Sequence, residues 1–158
     1  MDRDQFIAQV KIQQNALRGF LLALCGGNLA DADDIAQEAL VKAYLAIGRY
    51  SDSGQFKSWL FKIAYNTFLN HTASQKQYDS IDEAYTLASQ ESADSSFSHQ
   101  QLYLALSTLP PKERTAITLY YLSGYSIKEI AAITEVNADA VKKQMSRGRE
   151  KLKNIIKL

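Results

Sequence analysis

Apolar residues recur three and four positions apart along most of this 158-residue chain, and a single polar stretch divides that pattern in two. Such spacing puts the apolar side chains on one face of an α-helix. The chain has only 2 Pro and 7 Gly, too few for the many tight turns of an all-β fold. The sequence therefore predicts an all-α protein: two small helical domains joined by a polar acidic linker.

In the first block, Phe6, Ile7, Val10, Leu17, Phe20, Leu21 and Leu24 predict a helix over about 4–25, stopped by Gly26-Gly27. A second helix is expected from near Asp31, capped by Asp31, with Asp33 and Asp34 at the positive end of its dipole. Its inward stripe is Ile35, Ala39, Leu40, Ala43, Tyr44 and Ile47. Asp34, Gln37, Glu38, Val41 and Lys42 fall on a continuous outward face. A polar loop, 48–55, leads to a third helix over about 56–72, with Phe56, Trp59, Leu60, Phe61, Ile63 and Phe68 read chiefly as core or interface.

From Ala73 to about His99 the chain turns to Ser, Gln, Asp and Glu, which predicts a flexible linker with a short helical patch around 81–87. The expected boundaries are 1–72, 73–99 and 100–158. The second block begins with a short helix over 100–106, and Pro110-Pro111 breaks and restarts the chain. A helix over 111–123 follows. Ser126 and Glu129 form a capping-box pattern, and Asn137 can cap a last helix over about 138–156.

Residues 126–149 thus outline a helix-turn-helix, a short helix followed by one whose exposed side is basic. Ala131 is small where the two helices approach, and Val136 and Val141 are apolar where they pack. Lys142, Lys143, Gln144, Ser146, Arg147 and Arg149 are left for solvent or phosphates. The same pattern could be an ordinary amphipathic helix with a solvated basic face. The net charge of +1 conceals this asymmetry: residues 72–101 carry −4, and residues 142–158 carry +6.

Other classes are poorly served. One cysteine, Cys25, cannot form an internal disulfide. His71 and His99 lie in or beside the linker, so no metal-ligand cluster is expected and no cofactor is implied. No phosphate-cradling Gly-rich motif is present. The longest apolar run, 20–25, is far short of the roughly 20 residues that cross a bilayer. A cytoplasmic, non-enzymatic, non-membrane protein is expected.

Two motif blocks sharpen this reading. Leu109-Pro110-Pro111-Lys112-Glu113-Arg114, then Gly124 to Ala131, then Ala140-Val141-Lys142 and Ser146 to Leu152, resemble region 4 of the sigma-70 family in its extracytoplasmic-function (ECF) branch. Independently, Asp31 to Tyr44 and Phe56 to Thr67 resemble region 2 of that family.

The resemblance implies a sigma factor, which brings core RNA polymerase to a promoter and starts strand opening. Region 2 would bind the β′ clamp helices through Asp34, Gln37, Glu38, Val41 and Lys42. It would capture the melted −10 strand with Tyr50, Ser51, Asp52, Ser53, Gln55, Lys57, Lys62, Asn66 and Asn70, where aromatics, cations and amides mix as single-strand binding requires. Region 4 would bind the β flap and read the −35 element with Asn137, Asp139, Lys142, Lys143, Gln144, Ser146, Arg147 and Arg149. An anti-sigma factor is a common family partner. The chain departs from the family where Tyr50-Ser51-Asp52-Ser53 replaces a frequent Phe-Arg-Gly-Asp, which bears on −10 base preference. The alternative is a conventional helix-turn-helix regulator with a helical N-terminal domain; it leaves the 56–67 block and the outward face of the second helix unexplained.

Overall fold

The computed structural model describes residues 1–51, 54–75 and 94–156, and among these there is no β-strand. Three helices form the N-terminal half: α1 (Arg3–Leu24), α2 (Leu29–Ala46) and α3 (Phe56–Gln75), with a short 3₁₀ turn at Ile47–Arg49 after α2. The C-terminal half holds α4 (Asp94–Ser107), α5 (Pro111–Ile117), a π-helical turn (Thr118–Leu122), α6 (Ile127–Thr134) and α7 (Ala138–Ile156).

The ends of these helices follow local chemistry. Asp2 and Gln5 close a capping box on α1. Gly26 and Gly27, at φ 65° and 88°, end the following turn in a conformation that glycine adopts without penalty. They are also small by necessity, because a Cβ would lie 3.1 Å from the Ser107 Cβ at Gly26 and 3.2 Å from the Tyr103 ring at Gly27. The second helix is capped by Asn28 and not by Asp31, the residue expected: the Asn28 carboxamide oxygen accepts from the Asp31 amide at 3.0 Å. Either residue is a competent cap, and Asn28 gains the first turn by starting the helix at Leu29.

Helix α3 runs to Gln75, and α4 starts at Asp94, so helix enters the expected 73–99 linker from both sides. Residues 76–93, including the patch expected at 81–87, lie outside the described residues. The helix expected over 111–123 instead changes register at Thr118, where the π turn begins. A π turn leaves its hydrogen bonds one residue wider, and here the Ser123 amide reaches back to the Thr118 carbonyl.

Both halves share one continuous apolar core. Phe20, Leu21, Leu24, Ile35, Leu60 and Phe61 fill the N-terminal half, with the Phe20 and Phe61 rings stacked at 5.0 Å. Leu106, Leu109, Leu119, Ile130, Ile133 and Val141 continue it into the C-terminal half. Each such side chain contributes about 1.5–3 kcal/mol on burial.

Arg114 joins the two halves. Its guanidinium donates to the carbonyls of Leu24 (2.6 Å), Leu106 (3.0 Å), Leu109 (2.9 Å) and Ser107 (3.3 Å). It thereby satisfies orphan carbonyls at the C-terminal ends of α1 and α4. Burial pulls its pKa below the ordinary guanidinium value, opposed by the neighbouring Cys25.

Candidate nucleic-acid interface

Three surfaces hold the residues singled out above. The first is the outward face of α2. Asp34, Gln37, Glu38, Val41 and Lys42 are all exposed there, and Glu38 pairs with Lys42 at 3.1 Å along the helix. Val41 is 58% exposed, and Leu45, four residues on, is 76% exposed. Tyr44, expected inward, is 44% exposed and lies against Phe6 in a tilted ring contact at 5.6 Å. Leu45 was not anticipated; its place four residues after Val41 was the available signal. The result is a charged strip with two bare aliphatic side chains, a form that fits a partner helix surface.

The second surface is the 50–55 loop with α3. Tyr50 is only 9% exposed, sitting against Trp59 (4.8 Å between ring centroids) and edge-on to Phe56 (5.8 Å). Its hydroxyl is buried with no hydrogen-bond partner among the described residues. Ser51 and Gln55 are exposed, while Asp52 and Ser53 lie outside the described residues. Lys62, Asn66 and Asn70 follow at four-residue intervals and form one row on α3, the two asparagines exposed. Phe61 is fully buried as expected, and Trp59 and Ile63 pack half-buried against the core.

Two cations of this surface, Lys62 and Lys57, meet the C-terminal half. Lys62 Nζ lies 2.9 Å from Glu135 Oε2. Lys57 Nζ lies 5.0 Å from the centre of the Tyr125 ring and 5.7 Å from that of Phe61. A hollow of about 300 Å³ lies between, lined by Arg49, Tyr50, Gln55, Trp59 and Lys62 on one side and by Ala132 and Ile133 of α6 on the other.

The third surface is the helix-turn-helix. Ser126 and Glu129 make both bonds of the capping box, at 3.1 and 2.8 Å. Glu135 turns the chain in the left-handed region (φ 61°), the Val136 amide returns to the Ala131 carbonyl, and Asn137 caps α7 through the Ala140 amide at 2.8 Å. Along α7, Val141, Met145 and Gly148 face inward. A Cβ on Gly148 would lie 3.0 Å from Ile117, so α5 and α7 pack nearly backbone to side chain. Lys151 fixes the far end through the nearly buried Glu113 at 2.9 Å.

This packing fixes which side chains point out. Asn137, Asp139, Lys142, Lys143, Ser146, Arg147 and Arg149 are exposed, and Gln144 is half-buried. Arg149 reaches the Tyr121 hydroxyl at 3.4 Å, so one of the expected DNA-facing cations is partly held by the π turn. The role of Arg114 as a clasp was missed; its position after Leu109-Pro110-Pro111 was the only hint.

Among the described residues no group of His, Cys, Asp or Glu could hold a metal ion, and no helix is long and apolar enough to cross a membrane. What the geometry does define is a helical, two-part protein of the helix-turn-helix class.

Comparisons with known proteins specify it further. Residues 10–78 match the family model for sigma-70 region 2, and residues 99–152 that for sigma-70 region 4. The chain is 31% identical to the ECF RNA polymerase sigma factor EcfG of Rhodopseudomonas palustris, over 98% of this chain and 84% of that one. It is 32% identical to the ECF RNA polymerase sigma factor SigW of Bacillus subtilis, over 96% and 89%. It superposes with a TM-score of 0.82 on the sigma factor RpoE of Bartonella quintana, solved with the anti-sigma factor NepR, at 27% identity and covering 99% of both chains. That superposition takes in both halves together. The chain belongs to the ECF sigma factors of the sigma-70 family, and it is a transcription initiation factor that directs RNA polymerase to promoters.

Proposed function

We propose that residues 1–72 act as region 2 and residues 100–158 as region 4 of a cytoplasmic sigma factor, joined by 73–99. The outward strip of α2 docks on the β′ clamp helices of core RNA polymerase. Lys62, Asn66 and Asn70, with Lys57 and the loop residues Tyr50, Ser51, Asp52, Ser53 and Gln55, follow the non-template strand of the −10 element. Capturing an unstacked base offsets an unpairing cost of a few kcal/mol, so opening needs no nucleotide hydrolysis and no catalysis by the chain itself. The C-terminal half binds the β flap, and α7 enters the major groove of the −35 element through Lys142, Lys143, Gln144, Ser146 and Arg147. An anti-sigma factor of the kind bound to the Bartonella relative is a further partner of this chain.

The observation that carries this reading is the one-sided build of α7, where Val141, Met145 and Gly148 are packed away and Lys142, Lys143, Ser146 and Arg147 are left together on the outside. Run-off transcription with purified core polymerase on genomic fragments tests it. Specific transcripts that require the protein are the expected result. No complex with core and no initiation would refute it.

A further inference from the structure

The 50–55 loop borders two hollows. The one already described opens between the loop, α3 and α6; a second, of about 310 Å³, opens between the loop and α1. Tyr50 lines both, and its buried hydroxyl has no hydrogen-bond partner among the described residues. The second hollow takes one wall from α1, where Gln5, Gln9 and Gln13 recur every four residues along a single face. Gln5 is already engaged, its Oε1 accepting from the Asp2 amide in the capping box. Gln9 and Gln13 are half-buried, and neither carboxamide has a hydrogen bond among the described residues. Phe56, Lys57 and Gly54 line the loop side. A Cβ at Gly54 would meet nothing within 4 Å, so the rim there is open. The Lys57 ammonium faces ring surfaces, and no carboxylate neutralises it among the described residues. None of the described residues that line this hollow is acidic.

These groups suit an unstacked base. A carboxamide presents a donor and an acceptor side by side, the pattern that bonds a base edge bidentately. Aromatic rings give such a base an apolar surface, and a cation at the mouth suits its phosphate. The volume is at the small end for ligand sites, which fits one base. The row of Asn70, Asn66 and Lys62 on α3 leads to the loop, and the α1 hollow is the next polar recess beyond it. We propose that this hollow holds a second unstacked base of the non-template strand, Gln9 and Gln13 bonding its edge and Lys57 its phosphate, so that α1 takes part in reading the −10 region. This inference rests on the reading of the 50–55 loop and α3 as the −10 surface. Tyr50 then stands between the two bases, and its hydroxyl, unpaired in the free chain, is a buried donor at the divide.

The test couples changes in protein and DNA within the holoenzyme. On a promoter obtained by run-off transcription, each −10 position of the non-template strand is replaced in turn by an abasic nucleotide. Single-round initiation is measured for the unaltered protein, for Gln9→Ala/Gln13→Ala and for Asn66→Ala. Alanine is the best helix former, so the double change keeps α1 and removes only the carboxamides. On the intact promoter this variant is expected to initiate about five- to tenfold more slowly. On the promoter abasic at one particular position it should lose nothing further, because the base it contacted is already gone. Asn66→Ala should behave in the same way at a different position. Effects of Gln9→Ala/Gln13→Ala that multiply with every abasic change, or that couple at the Asn66 position, overturn the α1 site and leave the reading of α3 intact. If Asn66→Ala couples at no position, the −10 reading of α3 fails and the α1 site fails with it.

Discussion

In the function proposed above, helices α3 and α7 both meet DNA, yet their cations are in opposite conditions. On α3, Lys62 is paired with Glu135 and Lys57 lies over Tyr125. On α7, Lys142, Lys143 and Arg147 stand in solvent with no ion pair among the described residues. The difference comes from what each helix packs against. Helix α3 is shared between two halves, so its outer side is a seam; α7 packs on α4, α5 and α6 with one side and leaves its other side exposed among the described residues. A cation in a seam reports on conformation, whereas one on an outer face reports on ligand.

The largest way to break this contrast is to open the seam. Arg114→Ala should destabilise the fold by about 3 kcal/mol or more, because it strands the carbonyls of Leu24 and Leu109 together and takes one of the two donors from that of Leu106. Arg114→Lys should recover only part of this, since an ammonium lacks the planar fork. Glu38→Ala, which removes only the exposed pair with Lys42, should stay within about 0.5 kcal/mol. Urea denaturation of the three variants ranks them. An Arg114→Ala protein as stable as Glu38→Ala would mean the clasp does not hold the halves.

A second measurement separates the two sets of cations. Replacing Lys142, Lys143 and Arg147 with Ala should lower the log–log salt slope of duplex binding by roughly 0.9 per lost phosphate contact. Lys57→Ala and Lys62→Ala in the free protein should leave that slope nearly unchanged, because both are already engaged. Fluorescence anisotropy with a −35 duplex over a salt series distinguishes these outcomes. Equal slope changes from both sets would place both on the same bound duplex.

The same contrast explains what the amino-acid sequence disclosed. The capping box at Ser126 and Glu129, the Asn137 cap and the inward Val141 depend on residues within a few positions of each other, so they could be read directly. The cap of α2 went to Asn28 over Asp31 because two good caps stood three residues apart and packing chose between them. The π turn was invisible because Thr118 to Leu122 carry no glycine or proline to announce it. The seam was invisible for a deeper reason. Its main bonds run from Arg114 to backbone carbonyls, which every residue has, and from Lys62 to Glu135, 73 positions apart in the numbering, a pairing that periodicity cannot suggest. Hence the α7 side chains emerged as a set, whereas the packing of Tyr50 against Trp59 and Phe56 did not.

Alkaline pH loosens the seam through two groups within it. Burial, helped by Asp31 and opposed by Arg114, pushes the Cys25 thiol from 9.0 to about 12. Burial also pushes the Tyr125 phenol from 10.0 to about 12, with Glu129 adding and the Ser58 hydroxyl opposing. Both pKa values are higher in the folded chain, so their contribution is complete below the unfolded values and is lost as pH rises towards the folded ones. Stability should begin to fall above pH 9, by about 1.4 kcal/mol per pH unit from Cys25 alone, and more steeply above pH 10 as Tyr125 joins. Cys25→Ala should delay the onset to about pH 10 in urea midpoints measured across this range. An unchanged onset would mean that Cys25 is better solvated than its packing implies.

Small effects also lie in two helical glycines, one in each half. Gly19 has nothing within 4 Å of a would-be Cβ, whereas Gly148 has Ile117 at 3.0 Å. Glycine inside a helix costs roughly 0.5–1 kcal/mol relative to alanine. Gly19→Ala should therefore stabilise the chain by about that amount, with no penalty from packing. Gly148→Ala makes the same backbone gain but forces Ile117 and α5 away from α7, an overpacking cost of about 1–3 kcal/mol. Its net effect should be neutral to destabilising, and it should carry the α7 cations outward with the helix, weakening −35 binding where Gly19→Ala does not. If thermal unfolding finds both substitutions equally stabilising, α5 yields to α7 readily, and the recognition helix is positioned by its Asn137 cap and the Lys151–Glu113 pair more than by its packed face.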